Sequence, residues 1–262
     1  QAGFFTLKKQ MSADAALGAL VDKRNRVEGT VTLPEGSRVG QIVTAIVKGS
    51  DIKQSALLAA LKKPETLGLP SVAHNNPEGY LFPATYTVEP GTTATQLLRQ
   101  MVAKTLSTAK RLDIGTRAKA LGLTGEQILT VASILEYEAK KDSDYPKVAR
   151  VLYNRLAKPM RLQLDSTVSY VSKRKGDVFT TDAERADPSA YNTYTHDGLP
   201  PGPIGSPGEK TIEASLNPAQ GSWLYFVAVN LDTGETIFSN TFAEHQRAVD
   251  KLDAYCKTSP AC

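Results

Sequence analysis

The chain has 262 residues, 41% of them hydrophobic, and its 31 Lys and Arg against 27 Asp and Glu leave a formal charge of +4. That is enough apolar content to bury a core and excludes disorder of the whole chain. The charge is too weak and too scattered to mark a nucleic-acid partner, and the two basic clusters, Lys23-Arg24-Asn25-Arg26 and Lys173-Arg174-Lys175, read as solvated surface.

No apolar segment approaches the roughly 18 to 20 residues that span a bilayer, and no signal-peptide pattern opens the chain. His74, His196 and His245 lie far apart without ligand spacing, so no metal and no other cofactor is expected. The only cysteines, Cys256 and Cys262, sit close enough to close a small terminal loop, which would suit an oxidising compartment.

Two segments repeat a pattern of period-two strand, Pro/Gly turn and amphipathic helix: Val31 to Ser37 leading into Val39, Ile42, Val43, Ile46 and Val47, and Tyr86 to Thr92 leading into Ala94, Leu97, Leu98, Met101 and Val102. A Ser or Thr stands ready as N-cap in each. Gly3 to Val21 is a fainter copy. Asn75 to Pro83 reads as a turn-rich joint followed by exposed aromatics. Helices are then expected over Thr92 to Leu106, Ile114 to Leu121, Glu126 to Lys140 and Tyr145 to Leu156. Thr124 and Gln127 have the spacing of a capping box, and Pro146 is tolerated in a first turn.

Asp197 to Gly208 is too rich in Gly and Pro for a regular element, and its prolines favour a rigid loop. A short helix near Thr211 to Leu216 follows. Trp223 to Val229 reads as a buried strand, Asp232-Thr233-Gly234 turns into Thr236 to Ser239, and a last helix runs from Thr241 to Tyr255. The expected class is α+β, with a small α+β module over residues 1–80 and a mainly helical domain with a short antiparallel sheet over 81–262.

The residue with the clearest chemical signal is Glu136, at the end of the apolar run Ile128 to Leu135. A carboxyl against such a wall should have a raised pKa, which suits a general acid. On helix pattern alone, a Glu turned to solvent or paired with Arg150 or Arg155 is the more common case. Glu138, two residues on, points about 200° away from it on a helix, so the two should not reach one bond. Glu138 is therefore read as structural, bound to an Arg or a loop N–H. Asp165 is the better second acid, against the alternative of a helix cap. Tyr191-Asn192-Thr193-Tyr194 offers aromatic faces, an amide and hydroxyls of the kind that grip a sugar. Phosphate-binding glycine loops, a nucleophile elbow and HExxH are absent from the sequence.

Taken together, Ala132 to Glu138, Val148 to Leu156, Met160 to Val168, Tyr191 to Tyr194 with Gly198 to Ile204, Leu224 to Ala228 and Glu78 to Tyr86 resemble the core motifs of the endolytic murein transglycosylases, the MltG or YceG-like family. The resemblance runs from about Pro34 to the final helix. It implies a bacterial, extracytoplasmic enzyme that cuts within peptidoglycan glycan strands between N-acetylmuramic acid and N-acetylglucosamine, leaving 1,6-anhydro ends. It places the catalytic glutamate on Glu136, with Asn154, Gln163, Asp165, Tyr191, Asn192 and Tyr194 toward the sugars and Glu138 and Arg155 in supporting roles. It further implies that residues 1–80 are a LysM-like module that starts part-way through, that a membrane anchor precedes the sequence, and that peptidoglycan synthases are partners. The alternatives are a hydrolytic muramidase using Glu136 with Asp165, or a glycan-binding scaffold without catalysis.

Overall fold

In the computed structural model the described residues are 3–25, 27, 29–172 and 180–262. Arg26 and the Lys173-Arg174-Lys175 cluster lie outside them. The chain order is α1 (Ala13–Val21), β1 (Gly29–Thr32), α2 (Val39–Gly49), α3 (Gln54–Leu61), β2 (Thr85–Val88), α4 (Ala94–Arg111), α5 (Ile114–Ala120), α6 (Gly125–Glu138), α7 (Tyr145–Ala157), α8 (Asp165–Ser172), α9 (Asp182–Arg185), α10 (Glu209–Leu216), β3 (Tyr225–Asn230), β4 (Glu235–Ser239) and α11 (Phe242–Cys256). This is an α+β fold with two small antiparallel sheets, β1–β2 and β3–β4.

Both strand-turn-helix segments form as the periodicity requires, but they belong to one sheet. Gly29 faces Val88 and Thr32 faces Thr85, so the pairing crosses residue 80 and joins the first segment to the second. Thr93, not Thr92, caps α4 by accepting from the Gln96 N–H. Ser37 does not cap α2, because its hydroxyl turns back to the Pro34 carbonyl at 2.6 Å. Tyr80, Leu81 and Phe82, expected to be exposed, are buried instead. The turn before them lets the chain double back against Pro203: Gly79 has φ +82°, and a Cβ there would stand 2.4 Å from the proline ring.

Helix α6 explains most of the packing. Its capping box forms as spelled, with Thr124 accepting from Gln127 N–H and Gln127 returning to Thr124 N–H. Ile128, Leu129 and Ala132 pack with Ile42, Ile46, Leu97, Leu98 and Met101, while Val131, Ile134 and Leu135 pack with Val148, Leu152, Leu162 and Ile204. A helix shared between two apolar clusters must be apolar all round, which is why this run shows no clean stripe. Each fully buried Leu or Ile contributes roughly 1.5–3 kcal/mol, so α6 is the least dispensable element and a rigid base for what its last turn carries.

The Gly/Pro-rich stretch is fixed as expected. Residues 202–208 are buried, the Ile204 N–H donates to Ser133 Oγ at 3.0 Å, and Gly36 and Ser37 exchange backbone bonds of 2.8 and 2.9 Å with Ser206. At Gly205 a Cβ would meet the Gly36 carbonyl at 2.6 Å and the Tyr137 hydroxyl at 2.9 Å, so this close approach demands glycine. The β3–β4 hairpin forms with an irregular register between Ala228 and Asn230. Trp223 to Ala228 is half-buried rather than buried, since α11 covers only part of β3. Cys256 and Cys262 are bridged.

Candidate active site

The last turn of α6 sends two carboxylates to two different helix starts. Glu136 reaches α10, where its Oε1 accepts from the Gly208 N–H at 2.8 Å and from the Thr211 hydroxyl at 2.5 Å. Neither Arg150 nor Arg155 pairs with it: Arg150 donates to the Ala219 carbonyl, and Arg155 to the carbonyls of Leu224, Arg161 and Leu162. Burial raises the Glu136 pKa, with Glu35 and Asp142 pushing the same way, while the Thr211 and Gly208 bonds oppose it. Glu35, Asp142, Tyr145 and Lys210 line a hollow of about 650 Å³ on this side.

Glu138 reaches α8. Its Oε1 accepts from the Ser166 hydroxyl at 2.5 Å, and the Ser166 N–H adds a second bond. The residue keeps some exposed surface, yet burial of the carboxyl dominates and pushes its pKa up to about 7. Asp165 raises it further, while Ser166 and the more distant Arg155 cation oppose the shift. The expected contact with an Arg or loop N–H is thus met by the first turn of α8, as an Oγ and an N–H from one serine. Those donors leave the carboxyl near half-protonation at neutral pH.

Around Glu138 stand several of the motif residues. Asp165, the first residue of α8, accepts from the Tyr194 hydroxyl and from Thr180 Oγ1, both at 2.7 Å, and pairs with Arg185 at 3.3 Å. The Arg185 guanidinium also lies 5.1 Å from the Tyr194 ring centre. Asp165 therefore holds Tyr194 and Arg185 rather than capping a helix from Ser166. Arg155, only 9% exposed, braces the same region through three backbone carbonyls.

The other sequence candidates fall elsewhere. Asn154 donates to the carbonyls of Gly221 and Trp223 and straps the approach to β3. Asn192 is fully buried, donates to the Arg185 and Asp187 carbonyls and accepts from the Tyr194 N–H, so it shapes the loop that presents Tyr194. Gln163 is exposed with φ +50°, its N–H bound to the Thr193 carbonyl. Tyr191 packs its ring 4.9 Å from that of Tyr170 and accepts from Asn76 at 3.4 Å, at the joint with the early part of the chain. Sequence reasoning missed Ser166, Thr180, Arg185, Thr211 and Arg38. Ser166 was spelled inside the Asp165-Ser166-Thr167 motif, Thr211 opened an expected helix and Arg38 stood where the first amphipathic helix begins, whereas Thr180 and Arg185 come from a segment without a pattern of its own.

Among the described residues no group of His, Cys, Asp and Glu is placed to hold a metal, and no helix is long and apolar enough to cross a membrane. A half-buried carboxyl with a raised pKa, set near an Asp–Arg pair and a tyrosine, is a candidate for proton transfer.

A family model described as YceG-like matches residues 1–251. The chain is 34% identical to an endolytic murein transglycosylase of Bacillus subtilis over 96% of its own length and 72% of that protein. It is also 34% identical to an endolytic murein transglycosylase of Streptococcus pneumoniae, of which it spans half the length. The crystal structure of a yceG-like protein from Listeria monocytogenes superposes with a TM-score of 0.74 at 33% identity, over 90% of this chain and 81% of that one. The chain belongs to the YceG-like family.

Proposed function

We propose that this chain is the murein-cleaving part of an endolytic lytic transglycosylase. It cuts peptidoglycan strands between N-acetylmuramic acid and N-acetylglucosamine, and Glu138 serves as its general acid and base. The observation that supports this assignment is the Glu138 carboxyl, raised to about 7 beside Ser166 and Asp165. Protonated, it donates to the glycosidic oxygen; the bond to C1 breaks as C1 gains oxocarbenium character, and the N-acetylglucosamine leaves as an alcohol. The C6 hydroxyl of the same muramic acid closes on C1 and gives its proton to the Glu138 carboxylate, which returns the acid to its starting state and leaves a 1,6-anhydro end. Because the nucleophile is intramolecular, no second carboxylate has to activate water. Asp165, paired with Arg185 at 3.3 Å, favours positive charge at C1 and helps to raise the pKa of the neighbouring Glu138.

A second reading keeps Glu136 as the acid and base, as the family resemblance implies. The 650 Å³ hollow beside it favours that reading, and the Thr211 hydroxyl and Gly208 N–H would hold its carboxylate after proton transfer. Action outside the cytoplasm, an anchor upstream of this sequence, cooperation with peptidoglycan synthases and glycan binding by a LysM-like module over residues 1–80 belong to the same proposal.

Mass spectrometry of digested peptidoglycan tests it. Anhydro ends made by the wild type and lost in Glu138→Gln are the expected result, and loss in Glu136→Gln alone moves the acid to Glu136. Reducing ends would identify a hydrolase, and strand binding without cleavage a scaffold.

A further inference from the structure

Arg38 immediately precedes α2, yet it reaches across to the helices that carry the site. Its guanidinium lies 5.5 Å from the Tyr137 ring centre and 5.3 Å from that of Tyr170, and Nη1 donates to the Ser169 carbonyl at 3.0 Å. Tyr137 is the residue between Glu136 and Glu138 in the last turn of α6. The guanidinium is also poorly compensated. Among the described residues Arg38 has no carboxylate within ion-pair distance.

Glu78 is close enough to feel the Arg38 charge but makes no ion pair with it: Oε1 accepts from the Val39 N–H at 3.1 Å and Oε2 faces the Tyr170 hydroxyl at 3.5 Å. Burial pushes Glu78 up to about 7 even against the pull of Arg38, so it carries only part of a charge at neutral pH. A half-buried, ring-stacked guanidinium with N–H groups to spare and no fixed counter-ion is built to receive an anion from outside.

The sugars of a murein strand are neutral. Its carboxylates sit on the peptide stems, attached through the lactyl group of the muramic acid whose C1 bond is cut. We propose that Arg38, oriented by Tyr137 and Tyr170, binds a carboxylate of the peptide stem on the muramic acid and so makes the site selective for strands whose stem carboxylates are free. The proposal rests on the transglycosylase reading above. Planar, paired N–H groups match a carboxylate in a way that a lysine ammonium does not.

The test compares kcat/KM on stem-bearing glycan strands with kcat/KM on the same strands after their stem carboxylates have been converted to neutral amides, for the wild type, Arg38→Met and Arg38→Lys. A charge-assisted hydrogen bond of this kind is worth about tenfold or more. The wild type should prefer strands with free stem carboxylates over the amidated strands by at least about that factor, Arg38→Met should bring the ratio close to one mainly through KM, and Arg38→Lys should fall between them. A wild type without preference, or an Arg38→Met variant whose ratio is unchanged whatever its overall activity, overturns the proposal. The latter would leave Arg38 as a strap between the α2 start and α8. Absence of anhydro ends from both kinds of strand with the wild type would instead refute the transglycosylase reading itself.

Discussion

Glu136 and Glu138 share one helix turn, one residue type and a raised pKa, yet their surroundings have different consequences. Glu136 is tied by Thr211 and the Gly208 N–H to the start of α10, and through it to a buried loop that does no evident chemistry. Glu138 is tied to the start of α8, where Asp165 gathers Tyr194, Thr180 and Arg185. Donors from a helix start favour the carboxylate in both cases, so these bonds do not separate the two. What differs is depth and company. Glu138 is desolvated enough to reach about 7 and stands beside polar groups from two sequence motifs. A raised pKa alone does not separate them; the neighbours of Glu138 are what support the proposed assignment.

The sharpest way to break this comparison is to neutralise each acid in turn. General acid–base catalysis is worth about 100-fold or more, so Glu138→Gln should lower the rate of anhydro-end formation by at least that factor. Glu136→Gln should lower it by less than about tenfold, an effect of the kind a lost tertiary bond produces. The reverse order would make the α10 side the catalytic one.

Asp165→Asn should cost about tenfold in kcat, the scale of one charge interaction of roughly 1.4 kcal/mol. Its more telling effect is on pH. Removing the Asp165 charge removes a cause of the raised Glu138 pKa, so the alkaline limb of the kcat profile should move to lower pH. A limb that stays in place would detach Asp165 from the acid.

Stability offers a third test. Glu138 goes from an ordinary value of 4.5 to about 7 on folding, so the native state binds more protons than the unfolded chain across that window. Stability contributed by the protonated form is therefore present below it and lost as pH rises through it. Melting temperature measured from pH 5 to pH 8 should fall more in the wild type than in Glu138→Gln; equal slopes would mean that the carboxyl is not desolvated. The smallest effect is expected from Thr211→Val, which removes a buried donor to Glu136 and should cost about 1 kcal/mol in denaturant unfolding, with anhydro-end formation almost unchanged.

Elements with strong periodicity or spelled caps were legible in the sequence. The Thr124/Gln127 box, α7 with Pro146 in its first turn, the β3–β4 hairpin and the rigid Asp197 to Gly208 stretch all form as read. The partnership of β1 with β2 was not legible, because pairing across more than fifty residues leaves no local trace. The burial of Tyr80 and Phe82 was hidden for a similar reason, since it depends on Gly79 fitting against Pro203 far along the chain.

At the site, helix geometry correctly sent Glu136 and Glu138 in different directions. The apolar run drew attention to Glu136, the first carboxylate after it, although the more strongly shifted carboxyl lies two residues further on. Burial of a side chain's end depends on what packs over it, here α8, and a run of neighbours in sequence does not report that. Asn192 read as a sugar ligand from its composition and Asn154 from the family resemblance, and the amides of both donate to backbone carbonyls, a use that the sequence does not spell.

The two backbone bonds that join Gly36 and Ser37 to Ser206 use only main-chain atoms. Exposed positions such as Glu35 can change without undoing that splice, whereas Gly36 and Gly205 are fixed by positive φ or lack of room and Ser37, Ile204 and Ser206 by burial. Changes in loop length are a different matter. Inserting or deleting one residue between Pro34 and Arg38, or between Ile204 and Gly208, would shift the splice out of phase and withdraw the carbonyl that receives the Tyr137 hydroxyl. For protein engineering, these two loops can be changed only at their few exposed positions and are closed to redesign of length.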